Sequence, residues 1–218
     1  IGFKHAPIVP GQFSFYRLLK EFRSTDLLLT CGKVTHDLLS KSLPDLPIKI
    51  LGSPKSIGVT SSLKSETTMN VLGAVEGTYE SLLSFIVLFN GLSKLLPNVQ
   101  LLLRLHPALA PRTARKLLEG LFTTENLKVS TDTLAADLNK AHVTIFRSSA
   151  VGLEGLAFAA LPVHFDSNTD GSLNPLSQTG YPKIEFSNIE ELTEFLKILP
   201  LTFNNTEFFR KESSLLVK

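Results

Sequence analysis

Residues 99–107, VQLLLRLHP, and residues 142–154, HVTIFRSSAVGLE, decide the fold. Each opens on a short run of aliphatic and β-branched residues, Val99–Leu105 and His142–Phe146, that reads as a buried strand. Each run gives way to polar residues: Arg104, His106 and Pro107 in the first, Arg147, Ser148 and Ser149 in the second. A stretch with helical spacing follows each. Polar groups gathered at the C-terminal ends of strands, where helices begin, are the usual site layout of an open α/β sheet.

Outward from this pair the same rhythm continues. Met69–Ala74 reads as a strand and Thr78–Leu96 as a long helix, capped by Thr78 and stopped by Pro97. Pro111–Phe122 has helical spacing, Leu127–Ser130 is a short strand, and Asp132–Ala141 a helix with an Asp or Thr cap. Ala150–Ala159 is a helix of small residues and Leu161–Phe165 the last clear strand. A polar loop over Asp166–Thr179 leads to an amphipathic helix, Ile189–Leu199, capped by Ser187 or Asn188. Upstream, Ile1–Gln12 reads as a strand end entering a loop, and Phe13–Phe22 as a short helix. Asp26–Cys31, Val34–Leu43 and Pro47–Leu51 form a strand, helix, strand series. Residues 55–68 are polar and aperiodic, a loop or linker.

The expected architecture is therefore α/β, a Rossmann-like, doubly wound parallel sheet. Residues 1–66 hold a first α/β portion and linker, residues 67–200 the Rossmann-like domain, and residues 201–218 a tail. The chain opens on Ile1 rather than Met, so a preceding N-terminal portion is expected.

Composition narrows the function. With 218 residues and 43% hydrophobic content the chain can bury a sizeable core. Its 22 basic residues are scattered and nearly matched by 20 acidic ones, for a net charge of +2, so no nucleic-acid footprint is present. Cys31 is the sole cysteine, which excludes an internal disulfide and fits a reducing compartment. The greasiest run, Leu82–Phe89, is bracketed by Glu80 and Asn90 and is too short for a membrane span. No signal peptide is visible. The histidines are too scattered for a metal motif, and the glycine patterns of nicotinamide and P-loop sites are missing.

Five places are candidates for chemistry. Pro107 restricts His106 to an extended conformation, and an imidazole at that strand end can donate to a phosphate oxygen or offset developing negative charge. The plainer reading is a histidine that caps a strand. Ser148 and Ser149 sit where a helix begins, and two hydroxyls beside free helix N–H groups make a phosphate cradle. Alternatively, one of them is an ordinary N-cap. Glu154, five residues beyond Ser149, is a candidate for binding ribose hydroxyls, or a solvent-facing carboxylate. Glu76, in the turn Val75-Glu-Gly77, is a candidate base or a ligand contact through its backbone. His5 is a weaker candidate in a proline-bracketed turn. His36, His142 and His164 read as structural, and Asp166 and Asp170 as solvated.

Together these residues resemble the donor-binding half of a GT-B glycosyltransferase, in particular the families that build bacterial surface polysaccharide from CMP-activated sialic acid or Kdo. His106-Pro107 matches their HP motif, and Ser148-Ser149 their serine motif, in the same order and at similar strand ends. The sialyltransferase pattern also has an acidic-acidic-glycine motif; this chain has Ala74-Val75-Glu76-Gly77, with one acid where the pattern has two. The opening Gly2-Phe-Lys-His-Ala-Pro-Ile8 is similar to the last strand of the acceptor-side domain.

The resemblance implies transfer of a sugar from a nucleotide-activated donor to a surface-glycan acceptor, without a metal or a separate cofactor. Arg104, His106, Pro107, Ser148, Ser149 and Glu154 would hold the nucleotide and phosphate. His106 would serve catalysis, and the base would be Glu76 or come from a preceding domain; His5 would lie on the acceptor side. Implied partners are a nucleotide-sugar donor and a glycan or lipid-linked acceptor, with no nucleic acid. The implied location is cytoplasmic, with peripheral association at the inner membrane. Competing resemblances are a teichoic-acid-type glycerophosphotransferase and a UDP-sugar transferase or epimerase-like enzyme. A non-catalytic nucleotide-binding module is the competitor from another class.

Overall fold

A computed structural model describes residues 1–4, 25–52, 64, 67–109, 118, 124–166, 173–178, 181 and 183–199. His5, the helices expected over Phe13–Phe22 and Pro111–Phe122, most of the 55–68 linker and the 201–218 tail lie outside the described residues or nearly so.

Two parallel sheets carry the chain. In the first, β1 (Gly2–Lys4), β2 (Leu28–Thr30) and β3 (Ile48–Ile50) lie in that order, with α1 (Lys33–Ser42) between β2 and β3. Leu28, Leu39 and Leu43 form its small core.

The second sheet holds β4 (Asn70–Ala74), β5 (Gln100–Arg104), β6 (Leu127–Val129), β7 (Val143–Phe146), β8 (Leu161–Phe165) and β9 (Glu185–Phe186). Their spatial order is β6-β5-β4-β7-β8-β9, and every pairing is parallel. Counted from β4, this is the 3-2-1-4-5-6 order of the doubly wound Rossmann arrangement. Among the described residues the helices beside it are α2 (Tyr79–Leu95), α3 (Leu134–Lys140), α4 (Val151–Ala157) and α5 (Ile189–Ile198). The expected α/β, Rossmann-like class is what the chain adopts.

Local chemistry explains the element ends. Thr78 Oγ1 accepts from the Ser81 N–H at 3.2 Å and starts α2; Thr133 Oγ1 accepts from Ala136 at 3.2 Å and starts α3. Asn188, rather than Ser187, caps α5 through Oδ1 and the Glu191 N–H at 2.8 Å. Central strands β4 and β7 are buried along nearly their whole length, so they read as continuous apolar runs rather than alternating ones. On α2 the buried residues Leu82, Phe85, Phe89 and Leu92 follow helical spacing and pack into the core of the larger sheet. Fully burying each such side chain contributes roughly 1.5–3 kcal/mol. Gly73 makes this contact possible: a Cβ there would lie 2.3 Å from the Phe89 ring.

Strand β9 is the element the sequence reading omits. It has two residues, too few for any period, and exists because His164 and Phe165 offer an edge to Glu185 and Phe186. His142 is structural, as expected: its Nδ1 accepts from the Asn70 N–H at 3.0 Å, tying the starts of β7 and β4.

Helix α4 ends in a Schellman turn. The Ala160 N–H reaches the Gly155 carbonyl at 2.9 Å, and the Ala159 N–H reaches Leu156 at 3.1 Å. Ala159 occupies the left-handed position of that turn, with φ of 54°. Lys64 donates its ammonium to the Ala159 carbonyl, and burial lowers the pKa of this lysine from 10.5 to about 8.

Two outcomes are expected. Ala159→Gly removes a left-handed alanine and should stabilise the fold by about 1 kcal/mol, raising the melting temperature by ~2–4 °C. Between pH 8 and 10.5 the unfolded chain holds the Lys64 proton and the folded chain does not, so this group's contribution to stability rises with pH. Lys64→Met should therefore gain in melting temperature over the parent near about pH 7, and the gap should narrow near about pH 10. A constant gap would show that burial of Lys64 carries no such cost.

Candidate functional site

The chain builds outward from β4 through β5 to β6, then returns to place β7 on the other side of β4. In open α/β sheets a crevice forms at such a reversal, outside the carboxyl ends of the strands. Glu76, His106 and Ser148 each stand two residues past the end of their strands, β4, β5 and β7. They line one cleft of about 500 Å³ together with Gly77, Arg104, Pro107, Ser149 and Glu154. That volume lies in the range of small-ligand sites. All of the candidate nucleotide and catalytic residues thus share a single cavity.

At its centre, the Glu76 carboxylate meets Ser148. Glu76 Oε1 accepts the Ser148 N–H at 2.5 Å and the Ser148 hydroxyl at 2.6 Å. The Glu76 backbone is anchored separately, its N–H donating to Ser81 Oγ at 3.2 Å. The side chain and the amide of Glu76 are thus both engaged within the protein, with Ser148 and Ser81.

His106 is exposed, and its ring is oriented by the turn after it. Nδ1 accepts the Ala108 N–H at 3.1 Å, and the Leu109 N–H closes the turn on the His106 carbonyl at 3.0 Å. With Nδ1 as an acceptor, the proton of the neutral imidazole sits on Nε2. Gly77 lies against the ring: a Cβ at that position would stand 3.1 Å from Nδ1. A glycine after Glu76 is thus part of how His106 fits, a role visible only when β4 and β5 are adjacent.

The serine pair divides its work. Ser148 serves Glu76, whereas Ser149 Oγ accepts the Val151 N–H at 3.3 Å where α4 begins. The expectation of free N–H groups at this helix start is corrected. Gly152 donates to Ser149, and Leu153 and Glu154 donate to Ala150, so these first-turn amides are spent within the turn. Any anion bound here would be held by side chains and by loop groups such as the Ser148 N–H.

Arg104 lines the cleft, yet its Nη1 donates to Asp137 Oδ2 at 2.6 Å and to the Asp132 carbonyl at 2.8 Å. Asp137 is 1% exposed and also accepts from Ser130 Oγ at 2.6 Å. This pair locks the end of β5 to α3, so Nη1 is committed to the scaffold. Asp137 was not singled out from sequence; its signal is a carboxylate one position before Leu138 on the buried side of α3.

Behind the serines, Arg147 Nε faces Asp166 Oδ1 at 3.4 Å, so Asp166 is a buried ion-pair partner rather than a solvated loop residue. His164 packs edge-on against Phe146, and burial lowers its pKa, keeping the imidazole neutral. Among the described residues no group of three His, Cys, Asp or Glu is placed to hold a metal ion, and no helix is long and apolar enough to cross a membrane.

No family model matches the sequence, and no curated protein matches it. Solved structures do share the fold. The S. aureus MnaA–UDP co-structure aligns over 99% of this chain and 63% of that chain, at 12% identity and a TM-score of 0.58. The Neisseria meningitidis UDP-GlcNAc 2-epimerase bound to UDP-GlcNAc aligns over 98% and 64%, at 14% identity and a TM-score of 0.55. S. aureus TarM in complex with fondaparinux, alpha-GlcNAc-glycerol and UDP aligns over 92% and 41%, at 17% identity and a TM-score of 0.53. The chain spans roughly two fifths to two thirds of the length of these structures. At such identities the likeness is one of fold alone.

The Arg104–Asp137 pair generates a prediction separable from ligand binding. Arg104→Ala strands a buried carboxylate, which typically costs about 3–5 kcal/mol. Urea unfolding of this variant should show a loss of that size. A loss below about 1 kcal/mol would show that Asp137 does not depend on Arg104.

Proposed function

We propose that this chain is the donor-binding part of an enzyme acting on a nucleotide-activated sugar, in the manner of a GT-B glycosyltransferase. The observation that supports it most is the meeting of Glu76, His106, Ser148 and Glu154 in one cleft at the strand-order reversal. In this reading the His106 Nε2–H donates to a phosphate oxygen and, when protonated, offsets charge on the departing nucleotide. Ser148 contributes its hydroxyl and N–H to the same phosphate, and Glu154 receives the ribose hydroxyls. Glu76, or a carboxylate of a preceding domain, takes the proton of the acceptor hydroxyl. The reaction needs no metal for these roles. The acceptor is a surface glycan or its lipid-linked precursor, and the setting is the cytoplasm, peripheral to the inner membrane.

The base of the donor has two readings. The HP and Ser-Ser resemblance favours CMP-activated Kdo or sialic acid. The fold neighbours determined with UDP or UDP-GlcNAc favour a uridine nucleotide, for a transferase or an epimerase. A third reading, glycerophosphate transfer, has a fold neighbour in the wall teichoic acid polymerase TagF, at 13% identity and a TM-score of 0.52.

Thermal stabilisation by CMP, CDP, UMP and UDP, on the parent and on His106→Ala, tests the proposal. A ligand at a hundred times its dissociation constant adds about 2.7 kcal/mol to stability. Selective stabilisation by CMP, reduced in His106→Ala, supports the Kdo or sialic-acid donor. Preference for UMP or UDP moves the donor to a UDP-sugar, and preference for CDP to activated glycerophosphate. A chain stabilised by none of the four has no nucleotide site.

A further inference from the structure

We propose that Glu76 is a displaceable internal anion: its carboxylate holds the two Ser148 donors that a donor phosphate would take, and phosphate binding releases it. The inference rests on the nucleotide-sugar reading of the cleft and adds a conformational step to it. One oxygen, Glu76 Oε1, receives both the N–H and the hydroxyl of Ser148. A backbone amide and a hydroxyl converging on one anionic oxygen is the arrangement a phosphate oxygen would need. Among the neighbouring donors, the first-turn amides of Gly152, Leu153 and Glu154 serve α4. Phosphate and carboxylate therefore compete for the same two hydrogen bonds, and like charges at that separation repel.

The geometry also provides a route for release. The Glu76 main chain is held by Ser81 Oγ independently of its carboxylate, so leaving Ser148 requires only new side-chain rotamers. Once displaced from Ser148, the carboxylate is free to meet the hydroxyl of an acceptor. Donor binding and exposure of the base become one event, which imposes an order: donor first, acceptor second. A nucleoside, lacking phosphate, enters the cleft without this exchange.

Calorimetric titration of the 218-residue chain with UDP and CMP, and with uridine and cytidine, tests the inference on the parent, Glu76→Ala and Glu76→Gln. Melting curves establish that each variant is folded. Nucleotide affinity should rise about tenfold or more in Glu76→Ala, by the size of a lost charge-assisted competitor, while nucleoside affinity stays level. Glu76→Gln, which keeps the shape and loses the charge, should move in the same direction by less, and carries the test if the alanine variant does not fold. Ser148→Ala should weaken nucleotide binding. If the parent binds nucleotide and both Glu76 variants bind it equally or more weakly, the competition is overturned and the nucleotide reading stands. If no protein binds any nucleotide, that reading falls and the inference with it.

Discussion

The pairing of β4 with β7 is the constraint on which the rest of this molecule depends. Val71, Leu72 and Gly73 register against Val143, Thr144 and Ile145 at the middle of the larger sheet, in strands buried nearly throughout. Every backbone group in these strands must find a partner in the ladder, because water cannot reach them. The ladder satisfies that demand only in one register, and this register also sets the ends of the two strands side by side. Glu76 and Ser148, separated by 72 residues in the chain, thereby come into hydrogen-bond contact.

The same pairing produces the cleft. Helices α2 and α4 leave β4 and β7 from neighbouring positions, and nothing in the strand order closes the space above the reversal. Packing then refines the shape. Phe89 lies where Gly73 has no side chain, and the Phe146 ring lies where Gly152 has none, a Cβ there standing 2.5 Å from it. These two close approaches hold α2 and α4 against the sheet, so residues at the ends of β4 and β7 are presented from a rigid base. The Arg104–Asp137 pair does the same for β5 and places His106.

Polar groups near the cleft fall into two sets by what they touch. Arg104 Nη1, Ser149 and the Arg147–Asp166 pair are engaged with the scaffold, and their charges or hydroxyls hold elements in place. Glu76 and Ser148 are engaged with each other, across two strands, and His106 uses Nδ1 within its own turn. The division is physical: a buried ionic group needs a fixed partner, and the scaffold supplies one to each of the charged groups in the first set.

Much of this was legible in residue order. Continuous apolar runs at Met69–Ala74, Val99–Leu105 and His142–Phe146, each followed by helical spacing, determine parallel strands and crossover helices, because fully buried strands need apolar side chains on both faces. His106 and Ser148 were visible as polar residues at such ends, where a core has no use for them, and Glu154 as a carboxylate on the helix that follows. Tertiary structure decided which ends are neighbours. Only strand order brings Glu76 onto Ser148 and Gly77 against His106, and turns Arg104 toward Asp137. Edge strand β9 likewise exists only because β8 offers a free ladder to two residues. Periodicity reports which residues are buried, and local spacing reports where elements begin, but a hydrogen bond across 72 residues is set by the register of a sheet.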